Sequence, residues 1–466
     1  VNLPVVRSTS IPGLLLVDLP VHADSRGWFK ENWQREKMVG AGLPDFRPIQ
    51  NNVSFNKEAG TTRGIHAEPW DKYVSVVGGS VFGAWVDLRE GPDFGTTFTA
   101  TIGPGQAVFV PRGVGNGFQT LEPDTGYSYL VTEHWSQRAV KKYTFVNLAD
   151  PALGISWPIP LELSITSEAD KNHPPLAEVK PMNRRRTLVV GGTGQVGRAL
   201  SELYAAAGGY DFPARTEFDF CNPRHIAGIN WSDYDTLINA AAYTQVDLAE
   251  TGPGRVEAWD ANVGAVAVLA RICIEHGITL VHISSDYVFD GSKPLYGENE
   301  QVCPLGVYGQ TKAAGDALVQ LVPKHYIVRT SWVTGEGANF VETMKRLASA
   351  GIGPSVVNDQ IGRLTFTDDI AAGIAHLLGT VAPYGTYNLT GDGEPASWAR
   401  IAQEVFSLTG HDPARVKGIS TAEYFAGRDN IAPRPCNSIL DLGKIQSTGF
   451  PTSDHFERLK RYLETR

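Results

Sequence analysis

Cysteine is scarce in this 466-residue chain, and long apolar runs and an excess of positive charge are missing altogether. The four cysteines, Cys221, Cys273, Cys303 and Cys436, are scattered, and no two form a Cys-x-x-Cys pair. That pattern fits reduced thiols and offers no thiolate metal site. The apolar stretch from Ile11 to Leu19 is broken by Pro12, Gly13 and Asp18. It lacks the charged, apolar and cleavage regions of a signal peptide, and no segment is long enough to span a membrane. The 41 Lys and Arg against 50 Asp and Glu give a net charge of -9, with no extended basic face for nucleic acid. The densest basic run, Arg184-Arg185-Arg186, reads as a solvated linker. These absences predict a cytoplasmic protein with neither nucleic acid nor membrane among its partners.

What is present is ordinary globular composition, 42% hydrophobic and 20% charged, in a chain long enough for two or three domains. Up to about residue 150 the pattern is short β-rich runs, Tyr73–Val77, Val81–Leu88, Thr96–Ile102, Ala107–Val110 and Tyr127–Thr132. Gly78-Gly79, Gly91-Pro92 and Gly103-Pro104 separate them. Many short strands with turn residues between them predict an antiparallel sandwich or barrel, with one short helix near Gln34–Val39.

Gly105, Pro111-Arg112-Gly113 and Asn116 resemble the second motif of the cupin jelly roll. A metal-binding cupin places histidine where Asn116 stands, and more than one histidine in the earlier motif. Here that motif holds His66 and Glu68, short of the three protein ligands a transition metal usually takes, so no metal is expected. Asp24-Ser25-Arg26-Gly27-Trp28-Phe29, Gln50-Asn51-Asn52-Val53-Ser54 and Arg63-Gly64-Ile65-His66, in that order, resemble the dTDP-4-dehydrorhamnose 3,5-epimerases. So do Val86-Asp87-Leu88-Arg89, Phe109 to Gly113, and the tail from Asp150-Pro151 to Ser167-Glu168-Ala169-Asp170. The resemblance covers residues 1–176. It implies that His66 is a base, Asp170 the carboxylate that orients it, and Tyr129 the acid on the opposite face. Arg63 and Lys72 then stand near the substrate, with Arg26, Glu31, Gln50 and Asn52 as further substrate contacts. Inverting a carbon beside a ketone needs such a base, an acid across from it, and positive charge near the enolate. The chain departs from the family at Ala67-Glu68-Pro69-Trp70, at Asn116 in place of histidine, and at Gly83 in place of aspartate. A silent module that binds nucleotide sugar or forms dimers is the competing reading of this half.

Residues 177–186 have a linker composition, and the second domain is expected over 187–466. Thr187–Val190 reads as a buried strand, followed by Gly191-Gly192-Thr193-Gly194-Gln195-Val196-Gly197 and a helical run, Arg198–Ala207. A strand, a glycine turn and a helix N-terminus make a pyrophosphate site, with Gly191, Thr193, Gly194, Gln195 and Val196 as its contacts. Arg215, beyond the next strand near Tyr210–Pro213, could meet a 2′-phosphate, and Asp219 would lie near the adenine. The reading leans to NADP(H) and leaves NADH open. Ala240-Ala241-Ala242 follow the strand Thr236–Ala240 and let the backbone approach the cofactor. Leu280–Ser284 and Tyr326–Arg329 continue a strand–helix alternation, which predicts a doubly wound parallel sheet of Rossmann type.

Ser285, Tyr308 and Lys312 carry the chemistry of this half. Tyr308 and Lys312 are spaced i, i+4 and so share a helix face, and a lysine beside a phenol favours the phenolate. The glycine motif resembles the dTDP-4-dehydrorhamnose reductases, which are extended short-chain dehydrogenases. So do Ser284 to Phe289, Val307-Tyr308-Gly309-Gln310-Thr311-Lys312, Arg329 to Val333, Asn358 to Gly362 and Arg434-Pro435-x-Asn437-Ser438. That resemblance implies Tyr308 as the proton donor to a C4 ketone, Lys312 on the nicotinamide ribose, and Ser285 on the ketone oxygen. Asp286, Tyr287 and Trp332 become sugar contacts and Arg434 a phosphate contact, with a smaller C-terminal substrate region from about Gly351. Taken together, the chain is expected to epimerise a dTDP-4-keto-6-deoxyhexose and then reduce it, as a homodimer through the cupin-like half. The configuration set at C4, rhamnose or talose, is left open.

Overall fold

Turn glycines and β-branched runs in the first half shape two six-stranded, mainly antiparallel sheets rather than helices. The computed structural model describes residues 3–205, 207–220, 222–429 and 431–465; Cys221 lies outside them. The chain divides into two compact units, Val1–Arg184 and Arg185–Arg466.

In the first unit, one sheet runs Val5–Ser8, Leu15–Asp18, Gln106–Val110, Lys72–Gly78, Thr125–Val131 and Gln50–Asn56. The other runs Thr144–Phe145, Thr61–Ala67, Val114–Thr120, Val81–Asp87 and Thr97–Ile102, with Ile165–Thr166 added in parallel to Thr61–Ala67. Val74, Val76 and Val108 from the first sheet pack against Trp85, Val114 and Phe118 from the second, all buried. The small residue at Gly83 has a packing cause: a Cβ there would stand 2.3 Å from the Trp85 ring. The hairpin Val21–Asp24 with Gly27–Lys30 stands apart from both sheets. The expected short helix is Arg35–Gly40, capped by the Gln34 side chain on Lys37 N. The stretch 177–186, expected as a linker, is packed up to the division. Val179 and Met182 are buried with Ile65, Val86 and Leu88, and Met182 bridges to Arg89. Its prolines and charges concealed two apolar anchors.

The second unit holds six parallel strands in the order Tyr210–Asp211, Arg186–Val190, Tyr234–Asn239, Thr279–Ser285, His325–Thr330 and Gly385–Asn388. Alternate residues serve opposite faces. Val189, Ile238, Val281 and Val328 pack under Leu200, Ile370 and Ile374, while Leu188, Val190, Leu237, Leu280 and Ile327 pack under Leu269, Ile272 and Val319. Both faces are covered, which is why these strands read as apolar runs. The chain reverses direction across the sheet between Arg186–Val190 and Tyr234–Asn239, so the loops after these two strands flank a switch-point crevice. A separate cluster around Val341, Phe366, Ile401, Val405, Phe406 and Leu459 forms a smaller C-terminal region. Among the described residues no helix is long and apolar enough to cross a membrane.

The glycine turn is as tight as packing permits. A Cβ on Gly197 would sit 2.1 Å from Gly191 O, within the turn itself. Gly197→Ala should therefore destabilise the second unit by on the order of 1–3 kcal/mol. Calorimetry should show its unfolding transition moving down in temperature while that of the first unit stays in place.

Candidate active sites

In the first unit, inner strands of the two sheets carry the residues of the candidate cleft. His66 and Arg63 come from Thr61–Ala67, and Lys72 and Tyr129 from Lys72–Gly78 and Thr125–Val131. Asp170 sits on the short helix Glu168–Lys171, whose N-cap Ser167 accepts from the Asp170 amide. Its carboxylate Oδ1 lies 2.7 Å from His66 Nε2 and 3.3 Å from His173 Nε2. Burial pushes the Asp170 carboxyl up, but the hydrogen bond and charge of His66 more than offset this and leave it below its ordinary value. His173, three residues after Asp170, is pushed down by burial and by His66. It stacks on Phe145 at 4.6 Å, and the same ring meets His66 edge-on at 5.3 Å.

Tyr129 is raised above its ordinary pKa by burial and then by the charge of Glu68, with Arg63 opposing. That puts Tyr129, Glu68 and Arg63 within electrostatic reach of one another. Lys72 is 3% exposed and ion-paired to Glu68, so the expected cation is partly neutralised. Asn116 is the register partner of His66 and accepts from the Tyr127 hydroxyl at 3.1 Å. Asn52 is the register partner of Tyr129, and Gln50 donates to it at 2.8 Å, so Asn52 stands beside Tyr129 and Gln50 beside Asn52. Arg26 and Glu31 are not brought to this cleft: Arg26 pairs with Asp24 on the detached hairpin, and Glu31 pairs with Lys37.

In the second unit, the Gly191 turn touches the loop after the next strand of the sheet. A Cβ on Gly191 would stand 2.5 Å from Ala241 N and 2.6 Å from Ala240 C. The helix Gln195–Tyr204 begins at Gly194 without a side-chain cap, leaving its first amides for an anion. Thr193 O accepts from Arg198, Gln195 donates to Ala338 O, and Val196 is buried. Asp211 ends the second strand, where a ribose-binding carboxylate would stand, but Tyr234 at 2.7 Å and Arg186 already engage it. Arg215 is exposed nearby, and the Asp219 amide donates to His225. This cradle fits a dinucleotide with a 2′-phosphate. Ala242 follows Ala241, whose amide donates to the Asn239 side chain.

Tyr308 and Lys312 lie on the helix Val307–Val319. Gly309 presses this helix onto Tyr287 O, where a Cβ would stand 2.2 Å away, and Gly315 presses it onto Asn262 O. Asn262, in a single turn of π-helix, donates to Thr311 Oγ1 and to Tyr243 O, tying the catalytic helix to the cofactor loop. Ser285 hydrogen-bonds Tyr308, whereas the resemblance implied the ketone oxygen as its partner. The expected depression of Tyr308 by Lys312 is corrected: burial pushes Tyr308 up to about 12 against the Ser285 hydrogen bond. The Lys312 ammonium turns away, donating to Ile283 O at 2.7 Å and standing 3.3 Å from His282 Nε2. Burial brings Lys312 down to about 8, against the pull of Asp316.

Three expected substrate contacts are engaged within the protein. Asp286 is buried and holds Ser285 at 3.1 Å and Ser438. Trp332 stacks on Trp398 at 3.7 Å, with Gly362 tight against the indole, so its ring serves packing. Arg434 pairs with Asp247 at 2.9 Å and hydrogen-bonds Tyr287, which meets Tyr308 edge-on at 5.5 Å. The residues that sequence reasoning missed are His173, Asp247, His282 and Asp316, while Glu68 and Arg329 were quoted without the charge-pairing role the structure gives them. Only Asp316, one further step of four along the helix from Lys312, left a spacing signal.

The second unit thus has the fold and residue set of a short-chain dehydrogenase with a dinucleotide crevice, and the first is a two-sheet unit around a carboxylate-held imidazole. The RmlD substrate binding domain family matches residues 185–466, and the dTDP-4-dehydrorhamnose 3,5-epimerase family matches residues 8–178. The chain belongs to both families, one in each unit. The first unit is 55% identical over 177 residues to the "Protein RmlC homolog" of Streptococcus pyogenes, covering 37% of this chain and 89% of that one. The second is 40% identical over 293 residues to the dTDP-4-dehydrorhamnose reductase of Aggregatibacter actinomycetemcomitans, covering 59% of this chain and 97% of that one. The crystal structure of dTDP-4-dehydrorhamnose reductase from Bacillus anthracis in complex with NADP superposes with a TM-score of 0.56 at 33% identity, covering 61% of this chain and all of that one.

Asp286 gives this site a pH signature. Burial raises its carboxyl from 3.8 to about 6, so between these values the folded chain keeps a proton that the unfolded chain releases. This contribution to stability is full below about 3.8, falls as pH rises towards about 6, and is flat above. The stability difference between Asp286→Asn and the parent protein should change across that window and level off beyond it. Urea unfolding at stepped pH measures the difference.

Proposed function

We propose that the chain is a bifunctional enzyme of dTDP-L-rhamnose biosynthesis. Its first unit epimerises dTDP-4-dehydro-6-deoxy-D-glucose at C3 and C5, and its second reduces the C4 ketone with NADPH. The observation that carries this reading is a complete candidate centre in each unit: His66 on Asp170 with Tyr129 in the first, Tyr308 with Ser285 and Lys312 in the second.

In the first centre, Asp170 holds one imidazole nitrogen of His66 and leaves the other for the proton beside the ketone. The low carboxyl keeps Asp170 ionised and able to balance the imidazolium. Arg63 faces the developing enolate, and Tyr129, kept protonated by burial and Glu68, returns a proton from the other face. In the second centre, bound NADPH supplies a hydride for C4. Ser285 holds the ketone oxygen and Tyr308 protonates it, and Lys312, on leaving Ile283 O, would hold the nicotinamide ribose. A phenol raised to about 12 remains protonated until the alkoxide demands its proton.

The first unit is read as a cupin-type jelly roll that also forms a homodimer. Val53 and Phe55 are 64% and 59% exposed on the edge strand Gln50–Asn56, and Trp28 and Phe29 are 44% and 65% exposed on the hairpin. An unpaired edge with apolar side chains is a surface that a second copy would cover. It would also explain why Arg26 and Glu31 find no place in the site of their own chain. The cluster around Phe366 and Phe406 is read as the substrate region of the reductase.

Incubation with dTDP-4-dehydro-6-deoxy-D-glucose in deuterated water, without and then with NADPH, tests both activities. Deuterium should enter C3 and C5 without cofactor, and NADPH should then be consumed. His66→Ala should abolish exchange, and Tyr308→Phe should slow reduction about 10²- to 10⁴-fold with exchange intact. Absence of exchange in the parent protein, with NADPH consumed only when a separate epimerase is added, would leave a reductase carrying a silent first unit.

A further inference from the structure

From the convergence of His66, His173 and Asp170 we infer that the first unit carries a site for a divalent transition-metal ion of the zinc class, which silences the epimerase base when filled. The inference rests on the epimerase reading only for its consequence; the site itself stands on geometry.

One ligand atom from each of the three residues lies within 4.8 Å of the others. Two imidazoles and a carboxylate form a common protein ligand set for zinc, leaving a further position for water. Bonds of about 2.0–2.1 Å imply ligand–ligand edges of about 2.9 Å in an octahedron and about 3.4 Å in a tetrahedron. His173 Nε2 and Asp170 Oδ1 stand 3.3 Å apart, already within that range. His66 Nε2 and Asp170 Oδ1 stand 2.7 Å apart and need to open by a few tenths of an ångström. His66 has room to do so, because its side chain is 33% exposed whereas Asp170 is 8% and His173 13% exposed. Phe145 fixes the plane of the His173 ring by stacking on it. The set shares His66 with the cupin motif but draws its other two ligands from the short helix Glu168–Lys171 and the residues just after it, while Asn116 in the motif itself forgoes a ligand.

Filling this site changes which nitrogen of His66 is basic. Hydrogen-bonded to the Asp170 carboxylate, His66 carries its proton on Nε2 and has a lone pair on Nδ1. A metal ion takes the Nε2 lone pair, so the one proton of the neutral ring must reside on Nδ1. The base is then lost without any change in the substrate pocket. Asp170 at the same time exchanges its hydrogen bonds for a bond to the ion and can no longer balance an imidazolium.

The probe is Zn²⁺, added to the full-length parent protein and to His173→Asn and His173→Gln after chelator treatment. One readout is binding, by competition with a chromophoric chelator and by the shift in melting temperature. The other is deuterium exchange into the substrate without NADPH, each protein scaled to its own rate in chelator. The parent protein should bind one more zinc ion than either variant. Zinc should abolish its exchange reversibly, and the half-inhibiting concentration should rise at least about tenfold in the variants. Equal binding and equal inhibition in parent and variants would overturn the site, as would an absence of binding to the parent. Zinc bound through His173 with no effect on exchange would overturn the tautomer argument. A parent protein that binds the extra ion but shows no exchange even in chelator would refute the epimerase reading and leave the metal site standing.

Discussion

Each unit organises its centre around one ionisable group held out of water, and the neighbouring residues are arranged to answer that charge. A lone ion taken into a protein interior costs several kcal/mol, so it must be met by opposite charge and hydrogen bonds. In the second unit the group is Lys312, 2% exposed beneath Tyr308. Ile283 O accepts from it, and His282 stands against it as a neutral imidazole, its pKa driven down by burial and by Lys312. Asp316 supplies the counter-charge and is itself met by Arg329 at 3.2 Å. Asn239 continues the chain on the far side of His282 at 3.0 Å. The network reaches from one central strand across the next to the catalytic helix, so removing one member leaves another buried and unsatisfied.

Much of this framework was legible in the chain because it follows from local periodicity. Apolar strands followed by a glycine turn and a helix can bury both faces only as a doubly wound sheet. Tyr308 and Lys312 share a face by spacing alone, and the β-rich runs of the first half matched the strands to within a residue or two. Features set by tertiary contact were not legible. Whether Lys312 faces Tyr308 or Ile283 depends on how far the helix sinks onto Asn262 O and Tyr287 O, which two glycines permit. Nor does spacing reveal that Trp332 stacks on Trp398, far along the sequence. Likewise, the charges around 177–186 read as solvated, while Val179 and Met182 among them close the lower core of the first unit.

Joining two activities in one chain has a thermodynamic sense that does not depend on how the units are placed. Reduction by NADPH consumes the epimerised 4-keto sugar and so draws the epimerisation forward. Fusion fixes the two activities at equal molarity, so the consuming step is present wherever the producing step is. A gain in local concentration beyond this would require the centres to lie within reach of each other.

The departures of the first unit from its family then acquire a physical reading. Glu68 stands where the family has another residue, and its carboxylate pairs with Lys72 and faces Tyr129. Pairing weakens the cation that would hold an enolate, so on the proposed roles more of that duty would fall to Arg63. The same negative charge, together with burial, holds Tyr129 in its protonated form. An acid that must deliver a proton to carbon has to be loaded when the enolate forms. On the proposed roles, Glu68 weakens enolate stabilisation by Lys72 and, after burial, adds to the upward shift of the Tyr129 phenol. Asn116 acts in the same direction. Where a second histidine would add a titrating group beside His66, an amide accepts from Tyr127 and keeps its form at every working pH. The loss of family residues here is a redistribution of proton and charge between the two faces of one cleft, compatible with continued turnover.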